Sequence, residues 1–331
     1  MRVLHIRRGN RTLKAFLNQE AVMYDTTKSY KYKIREAIRS TWNTPYVRVH
    51  DGLYATIERK ISLPEVDHTD GIGTKGWYHW QRRTFKEAVV DALAMNLNDL
   101  LLVRATAYKL QNHITLPADD HEAILAIVHE LADVCKERKI ALTGGETSIH
   151  ADSHSLEISI TVTGFVEHPA NNQLRVGDVL IGLPSSGLHS NGFTKVRELF
   201  GEKIRPEFTK PTTIYVNRVQ PLLAEQTVHG MMHITGGAYT KLLDVLPADA
   251  DVQIAFPENA PNIFDEIFKQ GVTDEEMYKT FNCGWGFIVS VAPAAVERVC
   301  VELNGQRIGQ VVPGKHHVQI QSQFTRNKLT F

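Results

Sequence analysis

Cysteine is scarce here, with three residues (Cys135, Cys283 and Cys300) in a chain of 331. Three thiols cannot build a disulfide framework, and their spacing is not that of a metal site. No apolar run approaches the ~20 residues that a membrane helix needs, and a signal-type hydrophobic segment is missing too. Net charge is also absent: 37 Lys and Arg balance 37 Asp and Glu, so no whole-protein field favours nucleic acid or a membrane surface. No Walker loop is present, because the lysine of "DGIGTKGW" is followed by Gly76 and Trp77 where Ser or Thr would be needed. Nor are the glycines of that stretch read as a dinucleotide fingerprint. Solenoid repeats and low-complexity tracts are lacking. These absences leave a globular chain expected in the cytosol, and 43% hydrophobic with 22% charged residues is ordinary for one.

The charge that is present is unevenly placed. Through position 50, eleven Lys and Arg face only Glu20, Asp25 and Glu36. This basic region (1–50) is expected to be a solvated arm, or a lid that folds over a polyanionic ligand. Two further units are expected, 51–168 and 169–331, divided at the Asn-rich "EHPANNQLRVGD". Both mix strands and helices, which gives α/β or α+β layers.

In the first unit, "FKEAVVDALAMNLNDLLLV" (85–103) is too continuous for a strand and reads as a largely buried helix. Asp91 and Asn98 share a face, with Asp99 beside them, and polar groups on such a helix need partners. "DDHEAILAIVHELADVCKERK" reads as an amphipathic helix capped by Asp119, and "IALTGGETS" as a short strand running into a glycine turn. "SLEISITVTGFVEH" alternates like a half-buried strand. In the second unit, "DVLIGLPSSGLHSNGFTKVRELF" reads as strand, loop and helix. Next come a helix at "YTKLLDVL", another around "DEEMYKTF", a buried strand at "GWGFIVSVA" and a helix opened by proline at "PAAVERVCVEL". "NG" at 304–305 reads as a hairpin turn before two short strands. "HGMMH" places His229 and His233 four apart, a zinc spacing on a helix, but the glycine and the missing Glu favour coincidence.

Four stretches share one design, small polar or acidic groups with glycines at the end of a strand: 69–75, 143–148, 184–192 and 234–240. Glycines let backbone N–H groups approach phosphate oxygens, and a loop before a helix N-terminus is a ready anion site. Carboxylates beside such loops suit Mg²⁺, with Asp70, Asp91, Asp99 and Glu146 as candidates. His189, inside a glycine–serine loop, is the histidine expected to meet substrate.

In this order, "TDGIGTK", "DALAMNLNDLL", "ALTGGET", "GDVLIGLPSSGLHSNGFTKVREL", "HITGGAYTKLLDVLP" and "EEMYKTFNCGWGFIV" resemble the aminoimidazole ribonucleotide (AIR) synthetase family, the phosphoribosylformylglycinamidine cyclo-ligases. The resemblance runs from about 69 to 292. It implies a two-domain fold whose N-terminal domain pairs into a dimeric β-barrel and whose C-terminal domain is a mixed sheet with flanking helices. It also implies ATP and Mg²⁺ as cofactors and a cytoplasmic homodimer acting on a small molecule, formylglycinamidine ribonucleotide. ATP would phosphorylate the formamide oxygen, and the amidine nitrogen would then close the imidazole ring. Asp70, Lys75 and His189 would be catalytic. Asp70, Gly71, Gly73, Thr74, Lys75, Asp91, Asn98, Asp99, Gly144, Gly145 and Glu146 would hold the cofactor, with Asp70, Asp91, Asp99 and Glu146 on the metal. Ser186, Gly187, His189, Ser190, Asn191, Thr235, Gly236 and Gly237 would meet substrate. Departures from the family pattern lie at "SYKYKIREA", "HDGLYATIE", "RATA" (104–107), Asn112 and Ser148–His150. The alternatives are another ATP enzyme of the superfamily with an altered substrate, or a non-catalytic nucleotide-binding relative.

Overall fold

The structure is a computed structural model and describes residues 30–52, 54–256 and 261–331. Most of the expected basic arm therefore lies outside the described residues. Its described part forms helix α1 (Lys31–Ser40) and strand β1 (Val47–His50), which pairs antiparallel with β2 (Thr56–Arg59).

The first large sheet has four strands, β3 (Glu65–Gly71), β4 (Ala105–Leu116), β5 (Ala141–Ile149) and β6 (Glu157–Val166), in the order β3-β6-β4-β5. Between them run α2 (Gly76–Arg82), α3 (Phe85–Leu102) and α4 (His121–Glu137). α3 is the long buried helix expected from its apolar run, and only part of its circumference meets water. The alternation expected for β6 places Ile158, Ile160 and Val162 inward, against Leu93 and Leu97 of α3 and Ile127 and Leu131 of α4. Burying such apolar faces is the main force holding a sheet and its helices together. The cap of α4 is Asp120, one residue later than expected, since its carboxylate accepts the Ala123 N–H at 2.9 Å. "TGGET" is not a turn but part of β5. Gly145 faces Asn112 on β4, and a Cβ there would sit 2.7 Å from the Asn112 amide nitrogen.

The second sheet has seven strands, β7 (Val179–Pro184), β8 (Val228–His233), β9 (Ala250–Ala255), β10 (Trp285–Val291), β11 (Gln306–Pro313), β12 (Val318–Gln321) and β13 (Lys328–Thr330). Their order is β13-β12-β9-β11-β7-β10-β8, antiparallel except at β12–β9. Helices α5 (Phe193–Phe200), α6 (Val216–Ala224), α7 (Asn262–Lys269), α8 (Asp274–Thr280) and α9 (Val296–Leu303) cover it. Two apolar cores form, one on each face of β7 and β10, so every residue of β10 is buried. "HGMMH" is strand β8, not helix, which removes the helical zinc spacing. "YTKLLDVL" is a 3₁₀ helix, Ala238–Val245. "NG" does not turn a hairpin. Asn304 takes the left-handed conformation (φ 50°) that ends α9, and Gly305 N–H returns to the Cys300 carbonyl.

Candidate active site

The two sheets meet along α3, which belongs to the first and docks against residues 210–215 of the second. Asn98 makes the seam: its amide donates to the Thr213 carbonyl at 2.9 Å and accepts the Tyr215 N–H at 2.9 Å. Eight positions of α3 separate two acids with different fates.

Asp91 is wholly buried. Its Oδ2 lies 2.7 Å from Lys75 Nζ and 2.8 Å from His79 Nε2. Its Oδ1 accepts the Thr212 N–H (2.7 Å), the Thr212 hydroxyl (2.6 Å) and the Ser190 hydroxyl (2.9 Å). Burial opposes its charge, but the Lys75 ammonium and the His79 hydrogen bond outweigh it and hold the carboxyl well below the usual carboxylate range. All its acceptor capacity is taken from within the protein. Asp91 is therefore removed from the expected metal ligands. Lys75 is removed from the expected phosphate contacts, because it is 0% exposed and its remaining hydrogen bond goes to the Lys210 carbonyl at 2.6 Å. This cluster welds the two units together.

Asp99 keeps an open side. It lines a cleft of about 580 Å³ with Asp70, Gly71 and Gly73 from the end of β3, Glu157 and Ser159 from β6, and Ser190, Asn191, Thr235, Gly236 and Lys241 from the second unit. Its Oδ1 accepts from His233 Nδ1 at 2.7 Å, and Oδ2 lies 3.4 Å from His68 Nε2. Burial works against its charge, yet the hydrogen bonds from His233 and His68 prevail and keep it well below the usual carboxylate range. His68 is anchored by Asn96: the amide gives its N–H groups to the Asp70 and Ala92 carbonyls, so its oxygen is left to accept from His68 Nδ1 at 3.0 Å. The bond to Asp99, backed by Asn96, raises the His68 imidazole above the usual histidine range.

Three of the four glycine stretches converge here. Gly71, Gly73 and Gly76 do stand at G-x-G-x-x-G spacing, but β3 is an edge strand paired antiparallel, which is not the βαβ setting of a dinucleotide loop. Gly73 takes φ 53° and a Cβ there would meet nothing within 4 Å, so this backbone lies open; Thr74 beside it is exposed. The fourth stretch stays apart. Gly144, Gly145 and Glu146 sit on β5, the opposite edge of the sheet from Asp70, with β6 and β4 between. At ~4.8 Å per strand that is about 14 Å, beyond one metal's reach. Within this chain, Glu146 does not join Asp70.

The loop 185–192 is split in the same way. Ser190 and Asn191 face the cleft, whereas His189 is 1% exposed behind it. Its Nε2 accepts the N–H groups of Ser186 (3.2 Å) and Thr213 (3.4 Å), which places the proton on Nδ1, where no partner is found. Burial pushes this imidazole well below the usual histidine range. The structure therefore places His189 behind the cleft wall, not on it as expected. Its neighbours Ser186, whose hydroxyl bonds the Pro211 carbonyl, and Gly187, whose carbonyl accepts from Asn282, belong to the same scaffold. Gly237, exposed with φ 77°, lies at the cleft's edge.

Sequence reasoning missed His68, Asn96 and Lys241. His68 and Asp70 share one side of β3 by the two-residue period, a signal that was available. Lys241 gave none, because its place depends on the turn before it.

The cleft can hold a hard cation. Asp70 and Asp99 present carboxylate oxygens, Ser190 and Thr235 hydroxyls, and Mg²⁺ takes such ligands while keeping several waters. Among the described residues no three His, Cys, Asp or Glu side chains form a group that could hold a metal ion.

Comparison with known proteins gives matches across both units. Residues 64–166 match the family model of the AIR synthase related protein, N-terminal domain, and 175–321 that of its C-terminal domain. The phosphoribosylformylglycinamidine cyclo-ligase of Saccharolobus solfataricus is 33% identical over 286 residues, covering 84% of this chain and 86% of that protein. The enzyme of the same name from Methanobrevibacter smithii is 32% identical over 303 residues, covering 84% and 89%. Among solved structures, hydrogenase maturation protein HypE in complex with ATP is similar in fold, with a TM-score of 0.64, 13% identity, and 94% and 96% of the two chains covered.

Proposed function

The chain belongs to the AIR synthase related family, and on that premise we propose that it is a phosphoribosylformylglycinamidine cyclo-ligase, closing an imidazole ring at the expense of ATP. The observation that carries this reading is the convergence of Asp70, Asp99, Asn191 and Gly236, drawn from three glycine-bearing stretches and α3, on one cleft between the two units. A formamide oxygen is a poor leaving group; once ATP has phosphorylated it, the amidine nitrogen can add to that carbon and the C–O bond can then break to release phosphate.

Asp70 and Asp99 would hold Mg²⁺, which supplies charge neutralisation for the transferring phosphoryl group. The remaining tasks fall to the chain itself. Ser190 and Asn191 orient the substrate amidine and formamide groups, so that nitrogen and carbon meet in a near-attack geometry. Thr235 and Gly236 offer a hydroxyl and an open backbone to the opposite side. His189 and Lys75 act from behind, the first by gathering the Ser186 and Thr213 N–H groups, the second through Asp91 and Ser190. His68 and His233 fix the Asp99 carboxylate from two sides, leaving little to reorganise during reaction.

The working unit in this reading is a homodimer joined through the four-stranded sheets, for which a sedimentation mass of two chains is expected. The deciding experiment supplies formylglycinamidine ribonucleotide, Mg²⁺ and ATP, and follows ADP together with the aminoimidazole product by its colour reaction. One aminoimidazole per ADP is expected. ADP without aminoimidazole would keep the family and move the substrate elsewhere.

A further inference from the structure

With Lys75 locked against Asp91, the cleft needs another cation if it is to meet phosphate. We propose that Lys241 is that cation: a phosphate-binding residue of the cleft that holds a phosphate oxygen of the ligand directly. The proposal rests on the reading of the cleft as an ATP and ribonucleotide site.

Four observations carry it. Lys241 lines the cleft, where Asp70, Asp99 and Glu157 otherwise supply acid. Among the described residues no carboxylate lies within 4 Å of its ammonium. Its ammonium donates to the Thr235 hydroxyl at 3.1 Å, which leaves further donors free. Lys75, by contrast, is fully buried, with two of its three donors held by Asp91 and the Lys210 carbonyl.

The turn that delivers Lys241 is built for the purpose. Gly237 (φ 77°) and Ala238 (φ 42°) are both left-handed, and for alanine that conformation persists only where the surroundings impose it. The Ala238 N–H closes on the Thr235 carbonyl at 2.7 Å, and the Thr240 hydroxyl on the Gly237 carbonyl at 2.7 Å. A Cβ on Gly237 would lie 3.3 Å from Lys241 Cγ, so the glycine makes room for the lysine stem as it folds back along Thr235. An anion entering with its metal would then be met by the metal on the carboxylate side and by Lys241 on the other.

Two phosphates share this chemistry, the polyphosphate of ATP and the phosphomonoester of the ribonucleotide, and binding experiments separate them. Calorimetry on the full chain uses Mg·ADP, ribose 5-phosphate and adenosine as probes, with Lys241→Gln and Lys241→Arg beside the wild type. Losing a charge-assisted hydrogen bond should weaken one phosphate probe ~10- to 100-fold. The Arg variant should recover part of that loss, and adenosine affinity should be unchanged. Weakening toward Mg·ADP assigns Lys241 to the polyphosphate; weakening toward ribose 5-phosphate assigns it to the ribonucleotide. Unchanged affinity for both phosphates, equal weakening toward adenosine, or wild-type binding of neither phosphate overturns the proposal. A wild type that binds Mg·ADP yet forms no aminoimidazole would defeat the proposed reaction while leaving this test intact.

Discussion

Asp91 and Asp99 stand on one helix, eight residues apart, and are both held as carboxylates, but the chain uses them in opposite ways. Asp91 is enclosed by Lys75, His79, Ser190 and Thr212, so its charge is spent on joining the two units. Asp99 is held from behind by His68 and His233 and keeps 16% of its side chain toward the cleft. An acid whose acceptor sites are all filled is mortar, and one that keeps part of its carboxylate open to the cleft is available for chemistry. Burial alone does not separate the two cases, because both are largely enclosed. Which atoms still lack partners does.

The largest break in this comparison should come from Asp91→Asn. Removing one partner of a buried ion pair leaves the other uncompensated and costs ~3–5 kcal/mol, to be read as a fall in the denaturant midpoint. The double variant Asp91→Leu with Lys75→Met should recover much of that loss, since apolar replacement of a whole buried pair is often near neutral. A double variant no more stable than the single would show that Asp91's hydroxyl and amide partners, not Lys75, dominate.

Asp99→Asn should do the reverse. A loss of ~10²- to 10³-fold in kcat is expected from removing preorganised charge, with a much smaller change in the denaturant midpoint. Equal stability losses in the two asparagine variants would erase the distinction drawn here.

The smallest effect concerns His189 and pH. Its folded pKa lies below the unfolded value, so the unfolded chain binds the extra proton first. Its contribution is therefore present above about pH 6.5 and is lost as pH falls below it, by at most ~1.4 kcal/mol per pH unit. Unfolding at pH 7.5 and 5.5 should differ less in His189→Gln than in the wild type. The two acids follow the same sign further down: their folded pKa values are depressed, so their contributions are lost only below about pH 4. His68, whose pKa is raised, acts with the opposite sign in this window and is common to both proteins, so an equal pH dependence in wild type and variant is the result that would place His189 in contact with water.

Much of the architecture was readable in advance. Continuous apolar character marked α3, alternation marked β6, and an unbroken hydrophobic run marked β10, because these patterns report directly on which faces are buried. The errors fell where a short motif has two structural readings. "TGGET" was read as a turn because glycines usually break strands, yet here Gly145 accommodates the Asn112 side chain of the next strand. "NG" was read as a hairpin although a left-handed residue also ends helices. In the candidate site, three of the four glycine stretches do meet at one cleft, but Lys75 and His189 lie enclosed behind its wall. A lysine after a glycine loop and a histidine in a serine–glycine loop look available in one dimension.

The sequence by itself determined the elements, the two layered units, the family and the polar stretches that end strands, because periodicity, composition and motif order are properties of the chain. The tertiary structure alone decided which charges are free. Lys75 was turned inward onto Asp91 and the Lys210 carbonyl, and Glu146 was moved to the far edge by the strand order. Lys241 was brought in by a left-handed turn. A side chain's availability depends on neighbours distant in sequence, and only the fold supplies them.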